Sequence, residues 1–349
     1  MAVDMRWAKM DEDILAISGL VDAHLRYKNT QGPPRGYGYY HPSAFGKCLR
    51  LMQYMRYESM GLVESQKEEV ESVMIRIWDK GHNMHRRWAK YFEEMGVLRG
   101  VWQCTNPLCF DMDDPNSTKE DKLRKLQSPF HYVDEDGKDQ YISKVYGLDD
   151  KLGAFKPEKC TCGSTHFIYH EITVSAPELN LKGHSDLILD FSKLNLQKFK
   201  DAGILYDGSN LPTEPVVADM KTCNDYTFKQ KVCHMGPSLE YQIQLSIYSN
   251  ILGCKYGLLI YENKNDSTLR MFKIPAGTET MFEHVKKQAE TMNKMVEFKM
   301  LPPPRVFEKD SYECTKCPFA KICHSSKIWS DPQLKEKRQA FYGNLLVSD

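Results

Sequence analysis

The sequence predicts an α/β fold, because helix-like and strand-like patterns alternate along the chain. A long amphipathic helix is expected at residues 68–94. The apolar residues that fall near one face of it are Val73, Ile77, Met84, Trp88 and Phe92. Short apolar segments indicate strands at Leu187–Phe191 and Pro215–Met220, and an apolar helix is expected at Leu239–Leu252, before a strand at Tyr256–Tyr261. This order of elements is typical of a sheet covered by helices.

The remaining elements fit the same fold class. A helix is predicted at residues 11–28, followed at 29–41 by a loop that Gly and Pro interrupt, and by another helix from about Ser43. Tyr169–Ser175 is expected to form a strand. Thr278–Met300 is expected to form an amphipathic helix, which the following run of prolines stops.

Residues 101–170 differ in composition from the segments on either side. They contain Asn-Pro, Asp-Pro and Asp-Gly turns and two pairs of cysteines, which indicates an insertion. The predicted divisions are an N-terminal helical segment and loop at 1–42, a helical part at 43–100, the insertion at 101–170, an α/β core at 171–300 and a C-terminal region at 301–349.

Composition limits the functions that the chain can have. Lys+Arg and Asp+Glu are 47 each in 349 residues, so the net charge is zero. This balance argues against a protein that coats nucleic acid indiscriminately, although a local basic channel is compatible with it. No apolar segment is long enough to span a bilayer and the N-terminus lacks a secretory signal, so we expect an intracellular, cytoplasmic protein without a membrane partner. Eleven cysteines in that compartment suggest metal binding.

Four fragments carry candidate chemistry. They are Gly81–His85 on the long helix, Gly183–Asp186 at the start of a strand, Val216–Lys221 on a strand and Gln244–Tyr248 on the following helix. Hydrolysis of a phosphodiester needs an activated water and neutralisation of charge on the phosphate, and divalent ions held by carboxylates supply both. Asp186 and Asp219 offer such oxygens, and Lys221 points to the same face of its strand as Asp219.

Two further residue types fit this chemistry. His85 offers a nitrogen ligand, which suits Mn²⁺ better than Mg²⁺. Gln244 and Tyr248 are i, i+4 neighbours on one helical face, where they can contact substrate or brace Lys221. Each fragment taken alone is more often a solvated charge pair, a surface histidine or an uninformative helix face. The prediction therefore depends on their order and spacing along the chain.

The series resembles the RecB-like branch of the PD-(D/E)xK nuclease superfamily, which includes the AddB nuclease domain and the iron–sulfur nucleases of CRISPR adaptation. The residues that match the family motifs are His85 for the helical His, Asp186 for Gly-x-x-Asp, Asp219 and Lys221 for Asp-x-Lys, and Gln244 and Tyr248 for Gln-x3-Tyr. The match spans roughly residues 43–325 apart from the insertion.

The resemblance implies a restriction-endonuclease-like core, with a mixed central sheet flanked by helices, and a divalent-metal mechanism. It implies His85, Asp186, Asp219 and the main-chain carbonyl of Met220 as ligands of Mg²⁺ or Mn²⁺, with Glu171 as a further candidate. The implied activity is hydrolysis of DNA, most simply as an exonuclease on ends or single strands, in recombination, repair, replication or spacer acquisition.

Four cysteines bracket these motifs. Cys314, Cys317 and Cys323 form a C-x2-C-x5-C run, and Cys48 lies far upstream. Four thiolates suit an iron–sulfur cluster or structural zinc, and spacing alone leaves the choice open. The split of one early and three late cysteines resembles the iron–sulfur nucleases, which implies a 4Fe–4S cluster that tethers both chain ends.

A second set of cysteines lies inside the insertion. It consists of Cys104, Cys109, Cys160 and Cys162. Two close pairs joined by a polar segment indicate a zinc-ribbon-like site, in which His166 or His170 can replace one cysteine. Free thiols in a small subdomain are the alternative. The remaining cysteines, which are most simply core or incidental residues, are Cys223, Cys233 and Cys254.

Other functions explain less of the sequence. A catalytically silent nuclease fold that binds DNA or acts as an adaptor would not need every catalytic position filled. A zinc-ribbon DNA-binding protein leaves the Asp, Lys and His series unexplained. No Gly-x4-Gly-Lys-Ser/Thr phosphate loop is present, so any helicase or recombination partner must be another chain. Within the insertion, residues 119–125 are rich in Lys and Arg and are followed by aromatic residues, which favours a DNA guide or a docking segment for a partner. The alternative is a solvated face with a purely structural role, which the acidic residues Asp111, Asp113 and Asp114 support.

Overall fold

The structure is a computed structural model. It describes residues 12–31, 38–66, 70–106, 109, 131–133, 139–141, 143–204, 206, 208, 210–276, 279–300, 302, 307–325 and 336. The basic stretch at 119–125 lies outside these residues. The chain divides into two compact units. The first draws on residues 1–38, 53–86 and 302–349, and the second on residues 39–52 and 87–301.

Helices occur in both units. In chain order they are α1 (Glu12–Gln31), α2 (Leu49–Ser59), α3 (Ser72–Glu94), α4 (Gln197–Asp201), a π-helix (Thr227–Val232) continued by α5 (Cys233–Met235), α6 (Leu239–Leu252), α7 (Glu279–Glu297), α8 (Tyr312–Thr315) and α9 (Ala320–His324). Single 3-10 turns lie at Pro42–Ala44, Pro177–Leu179 and Phe191–Lys193. None of the helices in the described part of the chain has the length and apolar character needed to cross a membrane.

The strands all belong to the second unit. They are β1 (Leu98–Cys104), β2 (His131–Val133), β3 (Asp139–Tyr141), β4 (Val145–Tyr146), β5 (Ala154–Phe155), β6 (Phe167–His170), β7 (Ile172–Ala176), β8 (Leu181–Ser185), β9 (Leu187–Leu189), β10 (Val216–Cys223), β11 (Tyr256–Asn263) and β12 (Leu269–Pro275).

Eight of the described strands form a central mixed sheet. Its main path is β12–β11–β10–β9–β1–β4, and β5 and β6 also pair with β1. β10 and β11 run parallel, and the other pairs are antiparallel. The pairs β2–β3 and β7–β8 form separate two-stranded sheets. The expected α/β class, with a central mixed sheet flanked by helices, is confirmed.

Helix α6 connects the two parallel strands and lies at the centre of the core. Leu245 packs so closely on β11 that a Cβ added to Gly257 would lie 2.4 Å from it, so only glycine fits there. Ile247, on another face of α6, belongs to a second apolar cluster that includes Val285 and Met292 of α7. A helix buried on several faces needs no single apolar stripe. Gly253, at φ 78°, ends α6 with a left-handed cap.

The first unit brings distant parts of the sequence together. Tyr54 stacks on Phe319 with ring centroids 5.6 Å apart. The backbone amide of Gln66 donates a hydrogen bond of 2.8 Å to the carbonyl of Pro318. Its described C-terminal part, at 307–325, is therefore packed against residues near the start of the chain.

Several elements differ from the predictions. The segment Tyr169–Ser175 forms two strands, β6 and β7, which pair with β1 and β8 respectively. The sequence analysis missed β12, a mostly exposed strand. On α3, Met84 and Phe92 are buried, but Val73 is 50% exposed. Helical periodicity determines which residues share a face, whereas the tertiary structure determines how much of that face is covered.

Candidate carboxylate and thiol sites

Strand register brings the first two acidic residues of the candidate site together. In the antiparallel β7–β8 pair, Ile172 lies opposite Ser185. Glu171 precedes β7 and Asp186 follows β8, so continuing the register by one residue places these two carboxylates side by side. Asp186 was expected at the start of a strand, and it lies at the bend between β8 and β9.

A second register adds the third carboxylate. In the antiparallel β9–β10 pair, Leu187 lies opposite Ala218, so Asp186 is next to Asp219. The backbone amide of Met220 donates a hydrogen bond of 3.2 Å to Oδ2 of Asp186. We call Glu171, Asp186, Asp219 and Lys221 the carboxylate site. The structure thus brings together the three predicted residues Asp186, Asp219 and Lys221 with the candidate Glu171.

Lys221 lies within this cluster of negative charge. Its Nζ is 2.7 Å from Oδ2 of Asp219, and its side chain is 20% exposed while that of Asp219 is 2% exposed. The same Nζ lies 4.7 Å from the centre of the Tyr241 ring. Burial lowers the pKa of Lys221, but attraction to Asp219 and Asp186 outweighs it and raises the pKa above the ordinary value. Lys221 is therefore held as an ammonium ion.

Helix α6 contributes the predicted Gln244 and Tyr248, both of which are buried. The Nε2 of Gln244 lies 3.5 Å from Oδ1 of Asp219 and 3.5 Å from the hydroxyl of Tyr248. Burial raises the pKa of Tyr248, so the phenol keeps its proton. Helical spacing predicted that these two residues share one face of α6, and the structure places that face beside Asp219.

Proton affinity at the carboxylate site is abnormally high. Burial raises the pKa of Asp186, although Lys221 and the amide of Met220 oppose the shift. Glu171 keeps one side open to solvent. The protein around the rest of its carboxyl group, together with repulsion from Asp186 and Asp219, raises its pKa to about 7. Crowded carboxylates of this kind favour either a proton or a cation.

Two tyrosines of this site were missed by the sequence analysis. Tyr241 lies three residues before Gln244 on α6, so helical spacing alone contained the signal for it. Tyr169, on β6, donates a hydrogen bond of 2.9 Å from its hydroxyl to the main-chain carbonyl of Asp186. No pattern in the sequence indicated this contact, because it joins β6 of the central sheet to the bend that follows β8 of a separate two-stranded sheet. The predicted ligand His85 lies on α3, in the first unit.

The four cysteines of the insertion converge in the second unit. We call Cys104, Cys109, Cys160 and Cys162 the thiol site. Their sulfur atoms all lie within 4.8 Å of one another. Two of the pairs, Cys104 with Cys162 and Cys109 with Cys160, are separated by 3.7 Å and 3.6 Å. The four thiols are therefore arranged so that they could hold a metal ion.

The thiol site has two knuckles, Cys104 with Cys109 and Cys160 with Cys162. Its surroundings favour thiolates at the knuckle of Cys160 and Cys162. Although burial opposes the shift, hydrogen bonds from the hydroxyl of Tyr146 and a backbone amide lower the pKa of Cys160 to about 6. A backbone hydrogen bond also lowers the pKa of Cys162. At the other knuckle, burial raises the pKa of Cys104 and of Cys109. Metal binding at neutral pH would therefore release protons mainly from Cys104 and Cys109.

Neither histidine considered as a substitute ligand is needed to complete this set. The Nε2 of His170 is 2.9 Å from Oε1 of Gln103. His166 is exposed, and its carbonyl accepts a hydrogen bond of 3.1 Å from the amide of Thr105. The thiol site is complete with four sulfurs.

The other cysteines are distributed over both units. Cys48 lies in the second unit, just before α2, whereas Cys314, Cys317 and Cys323 lie on and between α8 and α9 in the first. All four are partly buried. The amide of Cys314 donates a hydrogen bond to the Ser311 hydroxyl, which caps α8. Of the remaining cysteines, Cys254 belongs to the main core and Cys223 packs against it, whereas Cys233 is exposed.

Comparisons with known proteins add little to this description. No family model matches the sequence, and no curated protein matches it. One solved crystal structure, that of the protein SSO0001, aligns at a TM-score of 0.40 and 11% identity, over 88% of this chain and 96% of that chain. A likeness of this degree carries no argument about fold or function.

Proposed function

We propose that the second unit is a divalent-metal-dependent DNA nuclease with a RecB-like PD-(D/E)xK core. The observation that carries the proposal is the convergence of Glu171, Asp186 and Asp219 through two strand registers, with Lys221 only 2.7 Å from Asp219. Sequence order suggested this set, and strand pairing supplies an independent reason for it. A structural charge pair would need only one of the three acids.

The donor set suits Mg²⁺ or Mn²⁺. Carboxylate oxygens are the ligands that these hard cations prefer. Burial raises the pKa of both Asp186 and Glu171, and a bound cation would offset the cost of keeping these buried carboxylates ionised. By resemblance, the main-chain carbonyl of Met220 is a further ligand, and its amide already contacts Asp186. A bound divalent ion would activate the attacking water and neutralise charge on the phosphate.

The residues of the chain have separate roles in this proposal. Asp186 and Asp219 hold the cation, and Lys221 presents a fixed positive charge beside it to the phosphate. The Tyr241 ring restricts the ammonium group of Lys221 by contact with its face. Gln244 anchors Asp219, and Tyr248 supports Gln244 from the next turn of α6.

Single-stranded DNA is the proposed substrate. The segment that follows β10 exposes Tyr226 and Met235 together with Lys231, only a few residues after Lys221. Cations beside exposed aromatic rings suit single strands, in which phosphates meet the cations and bases stack on the rings. An exonuclease acting on ends or single strands fits this surface.

The test uses two substitutions and a matched control. Asp219→Asn and Lys221→Met should each reduce Mn²⁺-dependent cleavage of end-labelled single-stranded DNA by about a hundredfold or more. Lys255→Met is the control, because its exposed ion pair with Glu214 lies before the first residues of β11 and β10, away from Lys221 and from the exposed segment after β10. Full activity in both site variants would exclude these residues from catalysis.

We further propose zinc at the thiol site. Ligands on a tetrahedral zinc ion with Zn–S bonds of about 2.3 Å are about 3.8 Å apart, close to the observed 3.6 Å and 3.7 Å. A four-iron cluster would hold its sulfurs farther apart. For Cys48, Cys314, Cys317 and Cys323, the resemblance still favours a 4Fe–4S cluster. Anaerobically purified chain should then contain about four irons and one zinc, and colourless protein without iron would contradict the cluster.

A further inference from the structure

We propose that a metal ion in the thiol site fixes strand β6, and that β6 positions Asp186 and Glu171 through Tyr169. Occupancy of the thiol site would then set the affinity of the carboxylate site for divalent cations. This inference rests on the proposed function in assuming that the carboxylate site binds a cation and the thiol site a zinc ion, and it does not require DNA cleavage.

Strand pairing connects the two sites directly. Cys104 ends β1 and lies opposite Phe167, the first residue of β6. β6 begins five residues after Cys162 and ends at His170, so the next residue is Glu171. Of the two strands that carry this connection, β1 therefore ends at a thiol-site cysteine and β6 starts five residues after one.

Side-chain packing makes β6 a rigid link. Tyr169 lies against the buried Trp102, with ring centroids 5.3 Å apart. A Cβ added to Gly100 would lie 2.2 Å from the Tyr169 ring, so the ring occupies the space that a side chain would take. The Nε2 of His170 forms a hydrogen bond with Oε1 of Gln103, a residue that is 0% exposed. Any displacement of β6 relative to β1 would break these contacts.

The hydroxyl of Tyr169 transmits the position of β6 to the carboxylate site. Its hydrogen bond to the carbonyl of Asp186 holds the backbone at the bend between β8 and β9. Asp186 lies outside the regular strands at this bend, so this hydrogen bond to its carbonyl adds to the one that its side chain accepts from the amide of Met220.

Among the residues that the structure describes, the region around the thiol site has little other support. β4 and β5 are two residues long. The apolar cluster there consists of three of the cysteines with Tyr146 and Phe167. Small regions with so few apolar residues depend on a bound metal for their order. Loss of the metal ion should therefore loosen β6 first.

The first experiment removes only the link. In the full chain, Tyr169→Phe should weaken Mn²⁺ binding about tenfold, as measured by titration of the free-Mn²⁺ electron paramagnetic resonance signal, and leave the zinc content unchanged. Tyr206→Phe is the control, because this half-exposed ring contacts Phe199 and lies on another part of the unit. Equal Mn²⁺ affinity in Tyr169→Phe, Tyr206→Phe and the parent would overturn the inference.

The second experiment removes the metal ion. Cys162→Ser, at the exposed ligand, should lose zinc, increase hydrogen exchange at 167–171 and weaken Mn²⁺ binding at least as much as Tyr169→Phe. If zinc is lost while exchange and Mn²⁺ affinity stay at parental values, the two sites are independent. A parent that binds Mn²⁺ without cutting DNA would contradict the proposed nuclease alone. A parent that binds no Mn²⁺ would contradict both.

Discussion

The carboxylate site and the thiol site lie in the same unit but are built in opposite ways. The carboxylate site gathers side chains from the start of β7, the bend between β8 and β9 and the interior of β10. Burial raises the pKa of Asp186 and, together with repulsion from Asp186 and Asp219, that of Glu171. The thiol site consists of two short knuckles. Two pairs of sulfur atoms, each with one sulfur from either knuckle, are already 3.6–3.7 Å apart. The first is a strained arrangement suited to an exchangeable cation at which chemistry takes place. The second is suited to a permanent ion that holds structure.

The largest expected effects distinguish the two sites. Substitution at the carboxylate site should reduce activity, and substitution at the thiol site should reduce stability. Asp186→Asn should reduce cleavage by about a thousandfold, yet leave the unfolding temperature of the metal-free protein unchanged or higher, because it removes a buried charge that repels its neighbours. Cys160→Ser should lower the unfolding temperature by about 5–10 °C, since it removes a buried ligand. Parallel cleavage assays and calorimetry check both. A large loss of stability in Asp186→Asn would contradict the contrast.

The next prediction concerns pH at the carboxylate site. The pKa of Glu171 is about 7 in the folded chain, against an ordinary value of 4.5. Between these values the folded state binds more protons, so the stability of the metal-free protein should fall as pH rises through this window. Mn²⁺ affinity should rise over the same window, because the cation competes with the proton. In Glu171→Gln both pH dependences should flatten, as titration calorimetry and thermal unfolding at several pH values would show.

A smaller effect is expected from crowding next to the carboxylate site. A Cβ at Gly183 would lie 2.8 Å from Cδ of Pro42 and 3.0 Å from the hydroxyl of Tyr248. Gly183→Ala should therefore cost about 1–3 kcal/mol and reduce cleavage by displacing Tyr248 or β8. Gly19→Ala, on α1 with nothing within 4 Å, should be neutral or slightly stabilising. Equal unfolding temperatures for both variants would contradict the close packing.

The smallest effect is expected from substitution of Tyr146, which lies next to the thiol site. Tyr146→Phe removes the hydroxyl that bonds the sulfur of Cys160 at 3.4 Å and that lowers its pKa. The pKa of Cys160 should rise, and zinc affinity near neutral pH should fall about tenfold. Competition with a colorimetric chelator measures this change. Unaltered affinity would show that the two knuckles bind zinc without help from Tyr146.

Local sequence patterns predicted the elements that carry the candidate residues. The helix expected at Leu239–Leu252 has those bounds, because apolar residues fill it and Gly253 follows. The strand expected at Pro215–Met220 is β10, which extends three residues further than predicted. Spacing within such elements also placed Lys221 beside Asp219, and Gln244 beside Tyr248. These relations depend only on backbone periodicity.

Pairing between elements could not be predicted in the same way. Residues 101–104 were assigned to the insertion, and they belong to β1, to which β4, β5, β6 and β9 all pair. The contact from Tyr169 to Asp186 also depends on where β6 of the central sheet lies relative to the bend between β8 and β9. Sequence patterns contain no measure of which strand lies next to which when several partners of similar character are available.

The sequence by itself determined the α/β class, the candidate acids, the lysine and the two sets of cysteines, because residue type and periodicity are local properties. The tertiary structure decided that Glu171 joins Asp186 and Asp219, that the insertion cysteines converge as a complete four-sulfur set, and that Tyr169 stands between the two sites. These outcomes follow from strand register and packing. A shift of register by one residue would move each side chain to the opposite face of its strand.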